Sequence, residues 1–304
     1  MKNSILLVPV VCCLCLTSAP AAEPIVIDLW QGEIPGPAAQ TNGPEKDLTK
    51  PTDRLIAGRR IIKLANVSKP QAHVYLPKES KANGGAFVIC PGGGFSILAW
   101  DLEGTEVADW LNGLGFAAIV LKYRVPTRQH GESDKWKGPV IDAQRSLSIT
   151  RSNAAKWNLD PEKIGILGFS AGGATAAFAA IKNGARLYEP NEETDKASCA
   201  ANFSILIYPA YLVEKDGTLK SEISVDKKTP PTFFAHAADD PVTCLSSVAL
   251  FTALKKAGVS AEVHIYATGG HGYGLRPTAM PVTHWPRRAE AWLRVMKLID
   301  SKDE

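Results

Sequence analysis

The segment "GILGFSAGGATAAF" (residues 165–178) places one serine between glycines, after an apolar run and before an alanine-rich run. The apolar run "KIGILGF" predicts a buried strand, and "AGGATAAFAAIKNG" predicts a helix that ends at Gly184. Gly168-Phe169-Ser170-Ala171-Gly172 matches G-x-S-x-G, a motif that presents a nucleophile when a strand precedes it and a helix follows. The alternative is that Ser170 is only a polar residue of a glycine-rich loop. The flanking strand and helix favour a nucleophile on a strained turn, where only small residues fit beside it.

Outward from this unit, apolar strands and amphipathic helices continue to alternate. Further strands are predicted at "GAFVICP", "FAAIVLKYRV", "FSILIYP", "TFFAHA" and "AEVHIY". Further helices are predicted at "DLEGTEVADWLNGLG", from Val140 to Trp157, near 245–257 and near 287–299. Upstream, "RRIIKLANV" and "QAHVYLP" predict two paired antiparallel strands. Strands that alternate with helices predict an α/β fold with a mostly parallel central sheet and helices on both faces.

The chain divides into three predicted parts. Residues 1–22 are predicted to be a signal peptide, residues 23–54 a polar N-terminal arm rich in Pro and Gly, and residues 55–304 one α/β domain. Some twenty mostly polar residues separate the strands that end near Tyr208 and begin near Thr232. We expect them to form a long loop, not a lid domain.

The first residues have the layout of a secretory signal. One early lysine precedes an apolar run from Ile5 to Leu16, which is too short to span a bilayer, and small residues follow from Ala19 to Ala22. Cleavage after Ala21 or Ala22 would leave an exported chain, periplasmic or secreted. A buried N-terminal helix and a lipid-modified cysteine are the alternatives.

Charge and cysteine content exclude several kinds of partner and site. The net charge is +3, from 34 basic and 31 acidic residues without a long run of either sign, so neither nucleic acid nor an anionic membrane is an expected partner. The predicted mature chain keeps Cys90, Cys199 and Cys244, an odd number that allows at most one internal disulfide. None of the three has a neighbouring cysteine or a histidine at metal-ligand spacing, so no metal site is predicted. The oligomeric state stays open.

A serine nucleophile needs a base and a carboxylate, here expected later in the chain in the order Ser, Asp/Glu, His. His271 lies in the glycine-rich "ATGGHGYGL", directly after a predicted strand, and is the preferred base. Asp239 and Asp240 directly follow the strand "TFFAHA"; Asp240 is preferred because it begins the turn "DPV", and Asp239 remains the alternative. The other candidate bases, more often structural in such positions, are His73, His130, His236, His264 and His284.

A glycine loop supplies candidate donors for an oxyanion. "CPGGGF" follows the first predicted parallel strand, and the amides of Gly93 and Gly94, with that of Ala171, are predicted to stabilise developing negative charge. Pro91 stands where such loops often carry histidine, which need not matter because the donors are backbone groups. A phosphate-binding loop is the alternative, but no GK[ST] follows.

Together these motifs resemble the α/β-hydrolase superfamily, and within it exported carbohydrate esterases similar to acetylxylan and feruloyl esterases. The resemblance covers about residues 55–295 and rests on "CPGGGF", "EGTEVADWLNGLGFAAIVLKYRVP", "DAQRSL", "DPEKIGILGFSAGG", "HAADDPV" and "GGHGYGL". It implies an α/β-hydrolase fold, a Ser170, Asp240, His271 triad acting through an acyl-enzyme, and an oxyanion hole of Gly93, Gly94 and Ala171. No cofactor is implied. The implied substrate is an acetyl or other small acyl ester on a polysaccharide such as xylan.

Other functions remain as alternatives to this one. A serine peptidase or a generic carboxylesterase or lipase could use the same fold, and a non-catalytic exported carbohydrate-binding protein would be expected to lack a triad residue. Four charged residues of the family-like segments are expected to form structural ion pairs and caps near the site: Glu103, Arg124, Asp142 and Arg145. Three aromatic residues next to the motifs either line a substrate pocket or pack in the core: Phe95, Phe169 and Tyr273.

Overall fold

A computed structural model of the chain describes residues 23–300, so the predicted signal peptide lies outside the described residues. The strands of this part of the chain are β1 (Ile25–Asp28), β2 (Lys46–Asp47), β3 (Lys63–Ala65), β4 (Gln71–Tyr75), β5 (Ala86–Cys90), β6 (Leu98–Ala99), β7 (Ala117–Lys122), β8 (Ile164–Phe169), β9 (Ser204–Ile207), β10 (Thr232–Ala237) and β11 (Ala261–Tyr266). Eight of them form the main sheet, in the order β1-β4-β7-β5-β8-β9-β10-β11, and β2, β3 and β6 form a small second sheet.

The main sheet is mostly parallel, as predicted. Strands β7, β5, β8, β9, β10 and β11 run parallel to one another. At one side of the sheet β4 pairs antiparallel with β7, and β1 pairs antiparallel with β4, so β4 is the strand that runs in the opposite direction. Cys90 at the end of β5 pairs with Gly168 near the end of β8, and Phe169 pairs with Ile207 at the end of β9. The loops that follow these strands therefore meet at one edge of the sheet, where ligands bind in open α/β folds.

In the described part of the chain, five α-helices cover the sheet on both faces. They are α1 (Glu106–Gly113), α2 (Lys137–Ser152), α3 (Ser170–Lys182), α4 (Leu245–Lys256) and α5 (Trp285–Val295), with a π-helical turn (Asp101–Thr105) before α1. Because successive side chains of a strand point to opposite faces, β5 contributes to two cores. Val88 and Cys90 pack with α2, α3 and α4, whereas Phe87 and Ile89 pack with α1 and α5. Among residues 23–300, none of the helices is both long and apolar enough to span a membrane.

The predicted pairing of the two upstream strands is wrong. Strand β3 pairs with β2 and β6 in the small sheet, whereas β4 pairs with β1 and β7 in the main sheet. The physical reason is that all six residues of β7 are buried, so the backbone groups at its free edge need a partner strand. Strand β4, which buries Ala72 and Val74, supplies it.

The N-terminal arm lies against the domain through specific contacts. The indole Nε1 of Trp30 donates to Asp142 Oδ1 at 3.0 Å, and the Gln40 amide donates to the Pro126 carbonyl at 2.8 Å. Residues 208–231, between β9 and β10, form a long loop without helical turns, as predicted from their composition.

Candidate active site

Ser170 lies at the sharp turn between β8 and α3, and its backbone φ of +52° is in the left-handed region. Two glycines make this turn possible. A Cβ on Gly168 would collide with the Gly172 carbonyl, and a Cβ on Gly172 would collide with the carbonyls of Cys90 and Pro91. The motif therefore packs the start of α3 directly against the end of β5, and the side chain of Ser170 is left at the sheet edge, 8% exposed.

The tertiary structure joins Ser170, His271 and Asp240 into one hydrogen-bonded array. The Nε2 atom of His271 is 2.8 Å from Ser170 Oγ, and its Nδ1 atom is 2.7 Å from Asp240 Oδ2. These residues follow β8, β11 and β10, so three separate strand ends bring them together. If Nδ1 carries the imidazole proton, as the contact with a carboxylate requires, Nε2 is free to accept the serine proton.

Between the two candidate carboxylates, the structure directs Asp240 and not Asp239 toward the imidazole. Asp240 Oδ1 also accepts the Val242 amide at 2.7 Å, whereas Asp239 Oδ1 accepts the Gly270 amide at 2.8 Å. Burial by itself raises the pKa of Asp240, but hydrogen bonds from His236 and His271 outweigh it, and the pKa lies below its ordinary value. Asp240 is thus held as a carboxylate next to His271.

Of the six histidines, only His271 forms a hydrogen bond with Ser170. His264 contacts Glu262 within β11, and His130 contacts Gln40 and the carbonyl of Ala38. His236 is fully buried, with Nδ1 2.9 Å from Ser247 Oγ and Nε2 2.9 Å from the Val242 carbonyl. Its Nε2 also lies 3.3 Å from Asp240 Oδ2, a supporting contact that the sequence analysis missed.

The glycine loop after β5 lies beside Ser170. Gly93 and Gly94 have φ values of +132° and +64°, and both line the pocket that contains Ser170 and His271. The Gly92 amide is already used, because it donates to Glu103 Oε2 at 2.7 Å. Ala171 is the second residue of α3, so its amide belongs to the first helical turn, where amides have no acceptor within the helix. Gly93, Gly94 and Ala171 are the residues whose backbone amides the sequence analysis selected as oxyanion donors, and that role stays a prediction.

Glu103 links the glycine loop to the histidine loop. Besides the Gly92 amide, its carboxyl accepts the Tyr208 hydroxyl at 2.8 Å, and that hydroxyl in turn accepts the Gly274 amide at 3.1 Å. The Tyr208 ring lies 4.8 Å from the His271 ring, measured between centroids. Glu103 therefore caps the loop, as expected of a structural residue, but it does so through hydrogen bonds and not through an ion pair.

The buried carboxyl of Glu103 predicts a pH-dependent stability. Burial raises its pKa above the ordinary 4.5, against lowering contributions from Tyr208, His271 and the Gly92 amide. Because the folded state holds this proton more tightly than the unfolded state, Glu103 makes wild-type stability fall as the pH rises from 4.5 towards the raised pKa. In Glu103→Gln that fall is removed, so the free energy of unfolding of the variant minus that of wild type should increase over the same interval. Urea unfolding from about pH 4 to about pH 8 measures this difference, and a constant difference would contradict the prediction.

The pocket in front of Ser170 has a volume of about 440 Å³ and a largely apolar wall. The wall includes residues of the N-terminal region and of the glycine loop, with Tyr211 and Val242 from later loops. Its apolar members include Ile56, Ile61, Ile97, Ala99 and Leu102. Phe95, Phe169 and Tyr273 are buried in the core instead and do not line this pocket, so the packing alternative holds for all three. No sequence pattern indicated that Ile56 and Ile61 complete the wall of this pocket.

The remaining charged residues of the family-like segments have structural partners. Arg124 and Asp142 form a fully buried ion pair, with Nε 2.9 Å from Oδ2, that also ties the loop after β7 to α2. Arg145 pairs with Glu192 and Asp195. These contacts agree with the structural roles expected for them.

Comparison with known proteins shows which families and solved structures this chain resembles. The BD-FAE family model matches residues 72–210. An acetylxylan esterase of Xylanibacter ruminicola is 31% identical over an alignment of 240 residues, which covers 70% of this chain and 46% of that protein. An acetyl ester-xyloside bifunctional hydrolase of Caldicellulosiruptor lactoaceticus has a solved structure that superposes with a TM-score of 0.72 at 27% identity, over 93% of this chain and all of that one.

A further solved structure supports the fold alone. Propionate-bound esterase 2 of Thermogutta terrifontis superposes with a TM-score of 0.63 at 23% identity, over 80% of this chain and 96% of that one. The chain spans less than half the length of the acetylxylan esterase it matches. Similarity to that relative therefore covers one portion of a larger protein.

Proposed function

We propose that this chain, which has the α/β-hydrolase fold, hydrolyses carboxylic esters with Ser170 as the nucleophile. The observation that supports this best is the array from Ser170 Oγ through His271 to Asp240, with contacts of 2.8 and 2.7 Å. Its similarity to an acetylxylan esterase and to an acetyl ester-xyloside hydrolase favours ester bonds over the amide bonds of a peptidase.

Each residue of the array has one chemical task. His271 takes the proton of Ser170 Oγ while that oxygen attacks the carbonyl carbon of the ester. The carbonyl electrons move onto its oxygen, which the amides of Gly93, Gly94 and Ala171 stabilise as a tetrahedral oxyanion. His271 then gives the proton to the leaving alcohol oxygen, and an acyl-enzyme remains. Water, deprotonated by His271, then attacks the acyl carbon. As this second tetrahedral intermediate collapses, the bond from the acyl carbon to Ser170 Oγ breaks, His271 returns the proton to Oγ, and the carboxylic acid is released.

Asp240 supports both steps without binding the substrate. Its carboxylate fixes the Nδ1–H tautomer of His271 and stabilises the imidazolium that forms twice in each cycle. The chemistry draws on side chains, backbone amides and water, and it needs no cofactor.

The proposed substrate is an acetyl or other small acyl ester on a polysaccharide such as xylan. The pocket, of about 440 Å³ with a largely apolar wall, has room for a short acyl group together with part of the sugar that carries it. The loop between β9 and β10 has no helical turns, so we expect no helical lid to close the pocket to a polymer. The names of the relatives are consistent with this substrate class.

A panel of p-nitrophenyl esters tests the acyl preference. We expect kcat/KM to be highest for acetate to butyrate and to fall by at least about tenfold by the dodecanoate ester, because the proposed substrate class, taken from relatives named for acetyl esters, carries a short acyl group. A preference for long chains would favour a lipase, and cleavage of peptide amides in place of esters would favour a peptidase. Failure to hydrolyse any member would favour a non-catalytic carbohydrate-binding protein.

We also propose that the protein is exported, on the basis of residues 1–22 alone. N-terminal sequencing of the protein recovered outside the cytoplasm should begin at Ala22 or Glu23. A mature protein that retains its first residues would contradict this proposal.

A further inference from the structure

A second concavity, of about 310 Å³, opens beside the Ser170 pocket, and Ile97 belongs to the walls of both. We call it the polar groove. Four segments form it: the N-terminal arm, the end of β3 with the residue after it, the end of the glycine loop, and the turn after β7. Its polar wall residues are Gln40, Asn42, Lys46, Asn66, Ser96 and Gln129. Ser96 and Ile97 follow Gly94 closely in the chain, so the groove begins within a few residues of the proposed oxyanion donors.

The chemistry of the wall selects an uncharged, hydroxyl-rich ligand. Four of the polar wall residues are carboxamides and one is a hydroxyl, groups that both donate and accept hydrogen bonds. Sugar hydroxyls need this dual capacity because each one donates once and accepts as well. Lys46 adds a single cation, and within residues 23–300 no carboxylate lines the groove. An anionic or strongly cationic ligand would lack matching partners along most of this wall.

Several of these side chains are free to bind a ligand. Within the described part of the chain, the side chains of Asn42 and Gln129 make no hydrogen bond. The side-chain Nε2 atom of Gln40 makes only a long contact of 3.4 Å, with His130 Nδ1. A single exposed amide would simply be hydrated. Here, however, amides from separate segments converge on one concavity next to a nucleophile, as in a ligand-binding cleft.

The wall is also fixed in place before any ligand binds. Backbone hydrogen bonds hold the arm in place. The backbone N–H of Gln40 donates to the Pro126 carbonyl, and Lys46 of β2 pairs with Ala65 of β3. The Asn66 side chain donates to the Pro44 carbonyl at 3.2 Å. A wall anchored in this way loses little conformational entropy on binding.

We propose that the polar groove binds an uncharged sugar unit of the polysaccharide main chain, adjacent to the acylated sugar whose ester lies at Ser170. This inference rests on the proposed function and deepens it, because it assigns a separate region to the polymer. A ligand in the groove would place the ester without taking part in the chemistry. Substitutions in the groove should therefore lower kcat/KM for acetylated oligosaccharides and leave kcat/KM for small esters unchanged.

The test compares the double variant Asn42→Ala, Gln129→Ala with wild type on two substrates, acetylated xylotetraose and p-nitrophenyl acetate. Loss of two hydrogen bonds to uncharged hydroxyls should lower kcat/KM for the oligosaccharide about tenfold, mainly through a higher KM. The value for p-nitrophenyl acetate should stay within about twofold, since that ester does not reach the groove. Gln31→Ala is the matched control, because Gln31 is an exposed amide of the same arm that lines neither cavity.

The outcomes separate this inference from the proposed function. An unchanged kcat/KM for acetylated xylotetraose in the double variant, or an equal loss on both substrates, would overturn the groove as a sugar site. A wild-type protein without activity on p-nitrophenyl acetate would instead overturn the ester hydrolase itself. A selective loss on the oligosaccharide, absent from Gln31→Ala, supports the inference.

Discussion

Ser170→Ala should lower kcat for p-nitrophenyl acetate by about 10⁶-fold, the scale seen when the nucleophile of a comparable Ser-His-Asp site is removed. The substitution removes the oxygen that attacks the carbonyl carbon and leaves His271 with no proton to accept. The backbone amides near Gly93 would still polarise a bound ester, so a small residual rate above that in water is expected.

The fold should survive this substitution. Alanine fits the space of the serine side chain, and the strained φ of +52° at residue 170 is imposed by the packing of its neighbours. Steady-state kinetics with each purified variant gives the comparison, and circular dichroism checks folding. Ser221→Ala, at an exposed serine of the loop before β10, should keep wild-type activity. Wild-type rates in Ser170→Ala would refute the mechanism.

Asp240→Asn should lower kcat by about 10⁴-fold, while its neighbour Asp239→Asn should change kcat less than about threefold. An asparagine at 240 can present its oxygen to the Val242 amide and its NH₂ group to His271 Nδ1. The imidazole would then carry its proton on Nε2, which faces Ser170 at 2.8 Å and could no longer accept the serine proton. At 239, the asparagine oxygen can still accept the Gly270 amide.

This pair is a sharp test because the two positions are adjacent and the substitutions identical. Any general effect of removing a negative charge near the site would appear in both variants. Equal losses would mean that charge alone matters, and a larger loss in Asp239→Asn would assign the carboxylate role to that residue. Steady-state kinetics with p-nitrophenyl acetate measures kcat for both variants under identical conditions.

The elements that carry the site were predictable from local sequence. Short apolar runs bounded by turn residues predict a buried strand whatever the order of the strands in the sheet. The strands recognised in this way are β5, β7, β8, β9, β10 and β11. The glycines around Ser170 were informative for a similar local reason, since a strand that turns directly into a helix tolerates nothing larger. Helix ends were less exact: α5 ends at Val295, short of the predicted 299, because exposed terminal turns lack a sequence signal.

Other features depended on residues far apart in the chain. The pairing of β3 was mispredicted because its alternating pattern fits either sheet, and only the need to cover the edge of β7 assigns β4 to the main sheet. Glu103 and Tyr208, 105 residues apart, gave no joint signal. The polar groove uses an arm whose composition indicated only an ordered segment or a surface loop.

The order of Ser170, Asp240 and His271 along strand ends, and the glycines that the turns require, were encoded locally, because steric limits on the backbone act between neighbouring residues. Tertiary packing decided three other features. It directs Asp240 and not Asp239 toward the imidazole, it brings the buried carboxyl of Glu103 to the glycine loop, and it places the N-terminal arm at the walls of the cavities. The physical reason is that a hydrogen bond is directional: its donor–acceptor distance must be right to a few tenths of an ångström and its angle to tens of degrees. That precision arises only when distant strands fix both partners, as they do for His271 between Asp240 and Ser170.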